Sequence, residues 1–383
     1  MKIRLYNKIA EVGTKRFPVA YEVSDSVADP DGILVRSARL HDLDLSPSLK
    51  AIARAGAGVN NIPVESCTEK GIVVFNTPGA NANGVKEIVI CALMLASRKI
   101  MQGADWVNTL QSDVAAEVEK EKSRFAGTEI MGKTLGVIGL GAVGGMVANT
   151  AVHLGMNVIG YDPYLSVDAA WVLSHHVKHA ASYEEIYRDS DYITLHVPAT
   201  PQTAEMICGE TIAMMKDGVR IINFSRADLV NTEDLKEALA SGKVSSYVTD
   251  FPTDEIVRTE GVVAIPHLGA STEEAEDNCA VMAVDEMTDF LENGNIRNSV
   301  NFPTVSMQRS GNTRICVLNE NIPDVISGIT SVLSSEGANI ENMTNKSRNA
   351  VAYTMVDISG DIADGTVSEI EAIKGVIRVR VIH

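Results

Sequence analysis

No C-x-x-C pair occurs among the five cysteines: Cys67, Cys91, Cys208, Cys279 and Cys316 stand singly along the chain. That excludes a zinc ribbon and a disulfide framework, and leaves reduced thiols of the core or the surface. No run of 18 consecutive apolar residues is present, so no membrane-spanning helix is expected. The opening "MKIRLYNKIAEVG" lacks the apolar stretch of a signal peptide, which makes the cytoplasm the expected location. Positive charge is scarce: 33 Lys and Arg against 50 Asp and Glu give a net charge of −17. Nucleic acid and anionic membrane surfaces are therefore excluded as main partners, while a local basic pocket for an anionic metabolite is not.

What is present describes a globular chain of two or three domains: 383 residues, 45% hydrophobic and 22% charged. The first hundred residues alternate apolar runs with helical patterns through "GILVRS", "LKAIARAG" and "GIVVFNTP", a small α/β unit with a parallel sheet. Residues 84–107 read as one long apolar-faced helix. From about residue 134, "TLGVIG", "NVIGYD", "DYITLHVP", "VRIINFS", "SSYVTDF" and "VVAIPH" read as strands separated by helices, a doubly wound parallel sheet. Residues 271–294 open with a capping serine or threonine and stop at Asn293-Gly294, as a helix does. "NSVNFPTVSMQRSGNT" reads as a linker. Beyond it the order strand, helix, strand, strand, helix, strand marks a separate small α+β domain.

"GVIGLGAVGG" places Gly139-x-Gly141-x-x-Gly144 after an apolar strand and at the start of a helix. Gly139 permits a tight turn, Gly141 lets a pyrophosphate approach the backbone, and Gly144 allows close helix-on-strand packing. The helix N-terminus adds free N–H groups. Asp162, 18 residues after Gly144, is placed to accept from the adenosine ribose hydroxyls. A 2′-phosphate there would be repelled, so NAD rather than NADP is the expected cofactor.

Ligands of an open parallel sheet bind beyond the strands' carboxyl ends. Those ends carry Asp162, "HVPAT" from His196, "NFSRAD" from Asn223, Asp250 and His267. Each also has a plainer reading: His196 as structural or cofactor-lining, Arg226 as a strand-end arginine, His267 as a loop histidine. The cluster His175, His176, His179 has no acidic partner nearby and reads as a solvated surface turn, so no metal is assigned. Arg226, a carboxylate and His267 nevertheless make a complete set for hydride transfer between NAD and a 2-hydroxy acid. A histidine takes the hydroxyl proton, a carboxylate orients it, and an arginine clamps the substrate carboxylate.

The pieces "GLGAVGG", "YDPY", "LHVPATPQT", "NFSRADLVN", "YVTDFPTDE" and "IPHLGAST" follow the order and spacing of the D-isomer-specific 2-hydroxyacid dehydrogenases. The chain resembles that family over residues 1–303. The resemblance implies a discontinuous substrate-binding domain (1–99 and 275–303), an NAD-binding Rossmann domain (100–274) and a tail domain (312–383). It implies Arg226 as carboxylate anchor, His267 as acid/base and Asp250 at the nicotinamide carboxamide. Ala142, Val143, His196, Val197, Pro198, Thr203, Phe224, Ser225 and Gly269 would join the three glycines and Asp162 around the cofactor. Arg36, Arg54, Ala57, Gly58 and Asn81 would meet a phosphorylated substrate, 3-phospho-D-glycerate. Another D-2-hydroxy acid, or a non-catalytic nicotinamide sensor, are the alternatives on the same fold. The family's Glu-Pro is absent here: counting from Asp250 gives Glu255 as the partner of His267, and aligning on Phe251 gives Asp254. Ala227 stands where the family has glycine. The tail resembles an ACT-type domain, which implies pairing between subunits of a homodimer or homotetramer. Asn319, Asn321 and Asn339 occupy positions matching a serine site, although Asn319 replaces a histidine and Asp324 a glycine.

Overall fold

Apolar runs near the start of the chain become strands because both faces of their sheet are covered. The computed structural model describes residues 1–383 and forms two compact units, Met1–Asn81 with Glu273–His383, and Ala82–Thr272. In the first unit β1 (Lys2–Tyr6), β2 (Glu22–Ser24), β3 (Gly32–Val35), β4 (Ala51–Arg54) and β5 (Val73–Phe75) form a parallel sheet ordered β2-β1-β3-β4-β5. Helices α1 (Glu11–Thr14) and α2 (Val64–Glu69) lie among them in sequence. Alternation sends Ile33, Val35, Ile52 and Val74 into one core and Leu34, Ala51, Ala53 and Phe75 into the other. A strand buried on both faces reads as a continuous apolar run.

The second unit contains α3 (Ala82–Ser97), α4 (Ile100–Val107), α5 (Val114–Glu121), β6 (Thr134–Ile138), α6 (Ala142–His153) and β7 (Asn157–Tyr161). It continues with α7 (Val167–Trp171), β8 (Val177–His179), α8 (Tyr183–Asp189), β9 (Tyr192–Leu195) and α9 (Gly209–Met214). β10 (Val219–Asn223), α10 (Thr232–Ala240), β11 (Val244–Thr249) and β12 (Val262–Ala264) complete it. Its seven parallel strands run β12-β11-β10-β9-β6-β7-β8, so the strand order reverses between β6 and β9. That reversal opens the crevice in which such sheets hold nucleotides.

Three expectations change here. The single helix over 84–107 is two helices. The Ser97 carbonyl accepts from the Thr128 N–H at 3.0 Å, and Lys99 leaves helical geometry, so α3 ends before α4 begins. Helix α3, read from sequence with the first unit, packs on the core of the second through Val85, Val89, Ala92 and Leu93, and the compact units part at Asn81/Ala82. The histidine cluster is not all turn, because Val177–His179 is the edge strand β8 paired to β7.

Helix α11 (Glu273–Asn293) returns to the first unit and buries Ala275, Cys279, Ala283, Met287, Phe290 and Leu291. The segment expected to be a linker is pinned. Asn301 accepts from the Val74 N–H (2.9 Å) and donates to the Ile72 carbonyl (2.9 Å), covering the edge of β5, while Phe302 and Val305 are buried. β13 (Thr313–Glu320), α12 (Val325–Ser335), β14 (Asn339–Arg348), β15 (Val351–Ser359), α13 (Asp364–Glu371) and β16 (Val376–Ile382) then build an antiparallel sheet ordered β14-β15-β13-β16. Ile315, Val317 and Val356 face α12 and α13, whereas Cys316, Leu318, Tyr353 and Met355 join the core that contains α11. The expected fold class, two parallel-sheet domains and a small α+β tail, is the one observed.

Candidate functional site

At the end of β6 the chain turns through Gly139, whose φ of 87° lies in the left-handed region. A Cβ there would come within 2.6 Å of the His196 carbonyl oxygen, and one at Gly144 within 1.9 Å of the Gly139 oxygen. Both positions therefore require glycine. Gly141 differs: a Cβ would meet nothing within 4 Å, so its backbone borders open space at the start of α6. Ala142 and Val143 form the first turn of that helix. Asp162, just past β7, accepts from the Leu140 N–H and the Tyr164 N–H, both at 2.9 Å, which fixes its carboxylate beside the loop.

The neighbouring strand ends supply the next layer. His196 shares a hydrogen bond with Thr194 Oγ1 (3.0 Å), and burial drives its pKa down to about 3, so the ring is neutral. Val197 is half-buried and Pro198 exposed, and the Pro198 carbonyl accepts from Thr203 Oγ1 at 2.6 Å. Phe224 is buried, and Ser225 Oγ donates to the Leu195 carbonyl at 2.6 Å, tying the end of β10 to β9. Arg226 is exposed; its Nη1 donates to the Ser225 carbonyl (2.6 Å) and its guanidinium lies 5.9 Å from the Phe251 ring centroid. Ala227 opens a short turn, Ala227–Leu229, and is not among the positive-φ residues, so its methyl group is tolerated where the family has glycine.

Asp250, at the end of β11, is 1% exposed. One oxygen accepts from the Gly269 N–H at 3.0 Å, and the other is buried without a partner. Burial pushes this carboxyl above its usual value, opposed by the Gly269 N–H and by the charges of His267 and Arg226. His267 is exposed and packs against Phe251, with ring centroids 4.6 Å apart. The structure thus brings Arg226, Asp250 and His267 together around Phe251, an aromatic residue that the sequence reading used only for counting. It does not join His267 to Glu255 or Asp254. Both are exposed, and no hydrogen bond or ion pair links either to the imidazole among the described residues.

In the first unit Arg36 and Arg54 stand at the carboxyl ends of β3 and β4. Arg36 Nη2 pairs with Glu276 of α11 at 2.5 Å, and Arg54 Nε donates to the Arg36 carbonyl at 3.0 Å. The Ala57 carbonyl accepts from Asn76 Nδ2 (2.6 Å), which holds the Gly56–Gly58 turn; Asn81 is half-buried at the end of this stretch. The three tail asparagines do not converge within one chain. Asn319 is paired across the sheet with Ala352 and Asn339 with Ser359, at opposite ends of β15. Asn319 Nδ2 donates to the Glu320 carbonyl, Asn321 Nδ2 to the Asn349 carbonyl and Asn339 Nδ2 to Glu341. Asp324 takes the left-handed φ of 71° that a glycine would adopt without strain. Among the described residues no cluster of three His, Cys, Asp or Glu side chains could hold a metal.

A sequence model described as "D-isomer specific 2-hydroxyacid dehydrogenase, NAD binding domain" matches residues 90–269. The chain is 35% identical over 318 residues to a D-3-phosphoglycerate dehydrogenase of Methanocaldococcus jannaschii, covering 81% of this chain and 59% of that one. It is 30% identical over 366 residues to D-3-phosphoglycerate dehydrogenase 1 of Saccharomyces cerevisiae, covering 88% and 75%. The chain spans little more than half the length of the Methanocaldococcus protein. Among solved structures, the NAD+-bound 3-phosphoglycerate dehydrogenase of Entamoeba histolytica matches with a TM-score of 0.60 at 27% identity, over 79% of this chain and 98% of that one. The D-mandelate dehydrogenase of Rhodotorula graminis shares the fold, with a TM-score of 0.67 at 22% identity, over 80% and 99%.

Proposed function

Because the chain belongs to the D-isomer specific 2-hydroxyacid dehydrogenase family, we propose that it oxidises 3-phospho-D-glycerate to 3-phosphohydroxypyruvate with NAD, the opening step of serine biosynthesis. The observation that carries this reading is the grouping of Arg226, His267 and buried Asp250 around Phe251, at the strand ends that also carry the glycine loop.

The residues present fit NAD. Gly141 leaves its backbone open to a pyrophosphate, and the N-terminus of α6 adds N–H donors and the positive end of a helix dipole. Asp162 keeps lone pairs for the ribose hydroxyls and disfavours a 2′-phosphate. The unpartnered oxygen of Asp250 is an acceptor for the nicotinamide carboxamide. When bound, NAD supplies the hydride acceptor. Arg226 clamps the substrate carboxylate with its two-pronged guanidinium. His267 takes the hydroxyl proton as the carbonyl forms, and its ring is steadied by Phe251. Glu255, with Asp254 as its substitute, is assigned to orient the imidazole, a contact that neither makes among the described residues. In the first unit Arg36, Arg54, Ala57, Gly58 and Asn81 are assigned to the phosphate-bearing substrate.

Helices α4 and α5 bury no residue and expose Ile100, Met101, Val107 and Val114, which supports a homo-oligomer whose second copy covers them. The tail serves as an ACT-type domain. A serine site built from Asn319, Asn321 and Asn339 needs two copies, since one chain holds the first and last apart. No helix among the described residues is long and apolar enough to cross a membrane, and the cytoplasm is the proposed location. The test is NADH formation across a panel of D-2-hydroxy acids, phosphorylated and not. Highest kcat/KM on 3-phospho-D-glycerate is expected; a preference for an unphosphorylated acid would replace this substrate with that one.

A further inference from the structure

Arg226 must present its guanidinium accurately, yet its side chain is held by little. It is exposed, reaches only the Ser225 carbonyl by hydrogen bond, and lies 5.9 Å from the Phe251 ring. The constraint lies in the backbone beneath it. Asn223, the last residue of β10, is 0% exposed. Its Oδ1 accepts from the Ser225 N–H (3.1 Å) and the Arg226 N–H (3.3 Å). Its Nδ2 donates to the Arg226 carbonyl (2.8 Å) and to the Tyr247 hydroxyl (3.1 Å). Two acceptor bonds and two donor bonds use the amide's four positions, and the opposite orientation would set donors against donors.

Tyr247, on β11, is 2% exposed, and burial raises its pKa, so the hydroxyl keeps its proton. Two residues on along β11, Thr249 is also 0% exposed, and its Oγ1 accepts from the Phe251 N–H at 3.0 Å. The buried pair Asn223–Tyr247 thus fixes the backbone of Arg226, and at the end of the adjacent strand Thr249 fixes the backbone of Phe251, the aromatic residue beside both Arg226 and His267. A network satisfied at every member rigidifies what it touches.

We propose that Asn223, backed by Tyr247, is the positioning residue that sets Arg226 for the carboxylate of the 2-hydroxy acid. This rests on Arg226 being the carboxylate anchor. Asn223→Asp retains size and both acceptors but removes both donors and puts negative charge against the Arg226 carbonyl. Tyr247→Phe removes only the supporting hydroxyl. Misplacing a binding group by about an ångström costs on the order of 100-fold. We expect Asn223→Asp to lower kcat/KM by about that factor, largely through KM for the hydroxy acid, and Tyr247→Phe by roughly 5-fold. NADH affinity, read by fluorescence titration, should stay unchanged in both.

The deciding measurement is a double-mutant cycle against Arg226→Lys. Losses from Asn223→Asp or Tyr247→Phe should largely vanish in the Lys background, because the fork they position is gone. Losses that multiply with that of Arg226→Lys, or an unchanged KM in both single variants, overturn the proposal. If Asn223→Asp fails to fold, the Tyr247→Phe cycle decides alone by the same criterion. Should Arg226→Lys itself leave KM unchanged, the anchor reading falls, and this proposal falls with it.

Discussion

Replacing Glu286 by glutamine tests whether a buried carboxyl is a net cost to the fold at neutral pH. Glu286 lies on α11 and is 8% exposed. One oxygen accepts from Asn298 Nδ2 at 2.5 Å; the other is buried with no partner. Loss of hydration lifts its pKa from 4.5 to about 7; Asp285 adds to the rise, while the Asn298 bond and Arg297 oppose it. The folded chain therefore still holds this proton at a pH where the unfolded chain has released it. Its contribution is most favourable below pH 4.5, and stability falls as pH climbs to about 7, where the loss is complete. At about 1.4 kcal/mol per pKa unit, the loss approaches about 3 kcal/mol. Glutamine keeps the acceptor for Asn298 and cannot ionise. Denaturant unfolding followed by circular dichroism should show Glu286→Gln stabilised at about pH 8.5, with the advantage shrinking towards zero near pH 5. An equal difference at both pH values, or a less stable variant at the higher one, would refute the reasoning.

His267→Ala should lower turnover by about 10²–10⁴-fold while leaving NADH affinity intact; a variant keeping a tenth or so of the rate would remove the acid/base role. Glu255→Gln and Asp254→Asn, made separately, should differ: only one should flatten the pH dependence of kcat, and Glu255→Gln is expected to be that one. If neither does, His267 works without a carboxylate from this segment. Asp162→Ala should weaken NAD binding and narrow the preference over NADP; unchanged affinities for both in a fluorescence titration would take the ribose role away.

The parts of the fold legible in the sequence are those whose cause is local. β6 and β10 read as strands because burial on both faces demands nearly unbroken apolar runs. Gly139 and Gly144 read correctly because their reason, a carbonyl too close for a Cβ, is built into the turn itself. The misses have distant causes. Nothing between Ser97 and Ile100 breaks a helix; the interruption accompanies a bond from Thr128, some thirty residues on. β8 is short and polar and draws its identity from pairing with β7. The linker reading failed because Asn301, an unremarkable loop residue by type, bonds the edge of β5. At the site, strand-end logic pointed to Asp250 and His267, but the folding back of Asn223 beneath Arg226 leaves no trace in a pattern of residue types.

The tail shows why such distant bonds decide architecture. Helix α11 ends with unsatisfied carbonyls, and arginines and a tyrosine of the tail take them. Arg380 Nη2 donates to the Leu291 carbonyl (3.0 Å), Arg314 Nη1 to Asn293 (2.7 Å) and the Tyr353 hydroxyl to Gly294 (2.6 Å). Cations at a helix C-terminus also meet the favourable end of its dipole. Arg314 is itself fully buried in a two-pronged pair with Asp357, at 2.6 and 2.8 Å, whose carboxylate Ser310 also caps. A buried pair of this kind adds little net stability over apolar residues of the same shape, because desolvation offsets the attraction. Its effect is discriminating: a guanidinium and carboxylate that are satisfied only when β13, β15 and the end of α11 meet in one register penalise every other docking. The sheet therefore has one face on its own helices and the other on the core that contains α11, with β14 and β16 as its lateral edges.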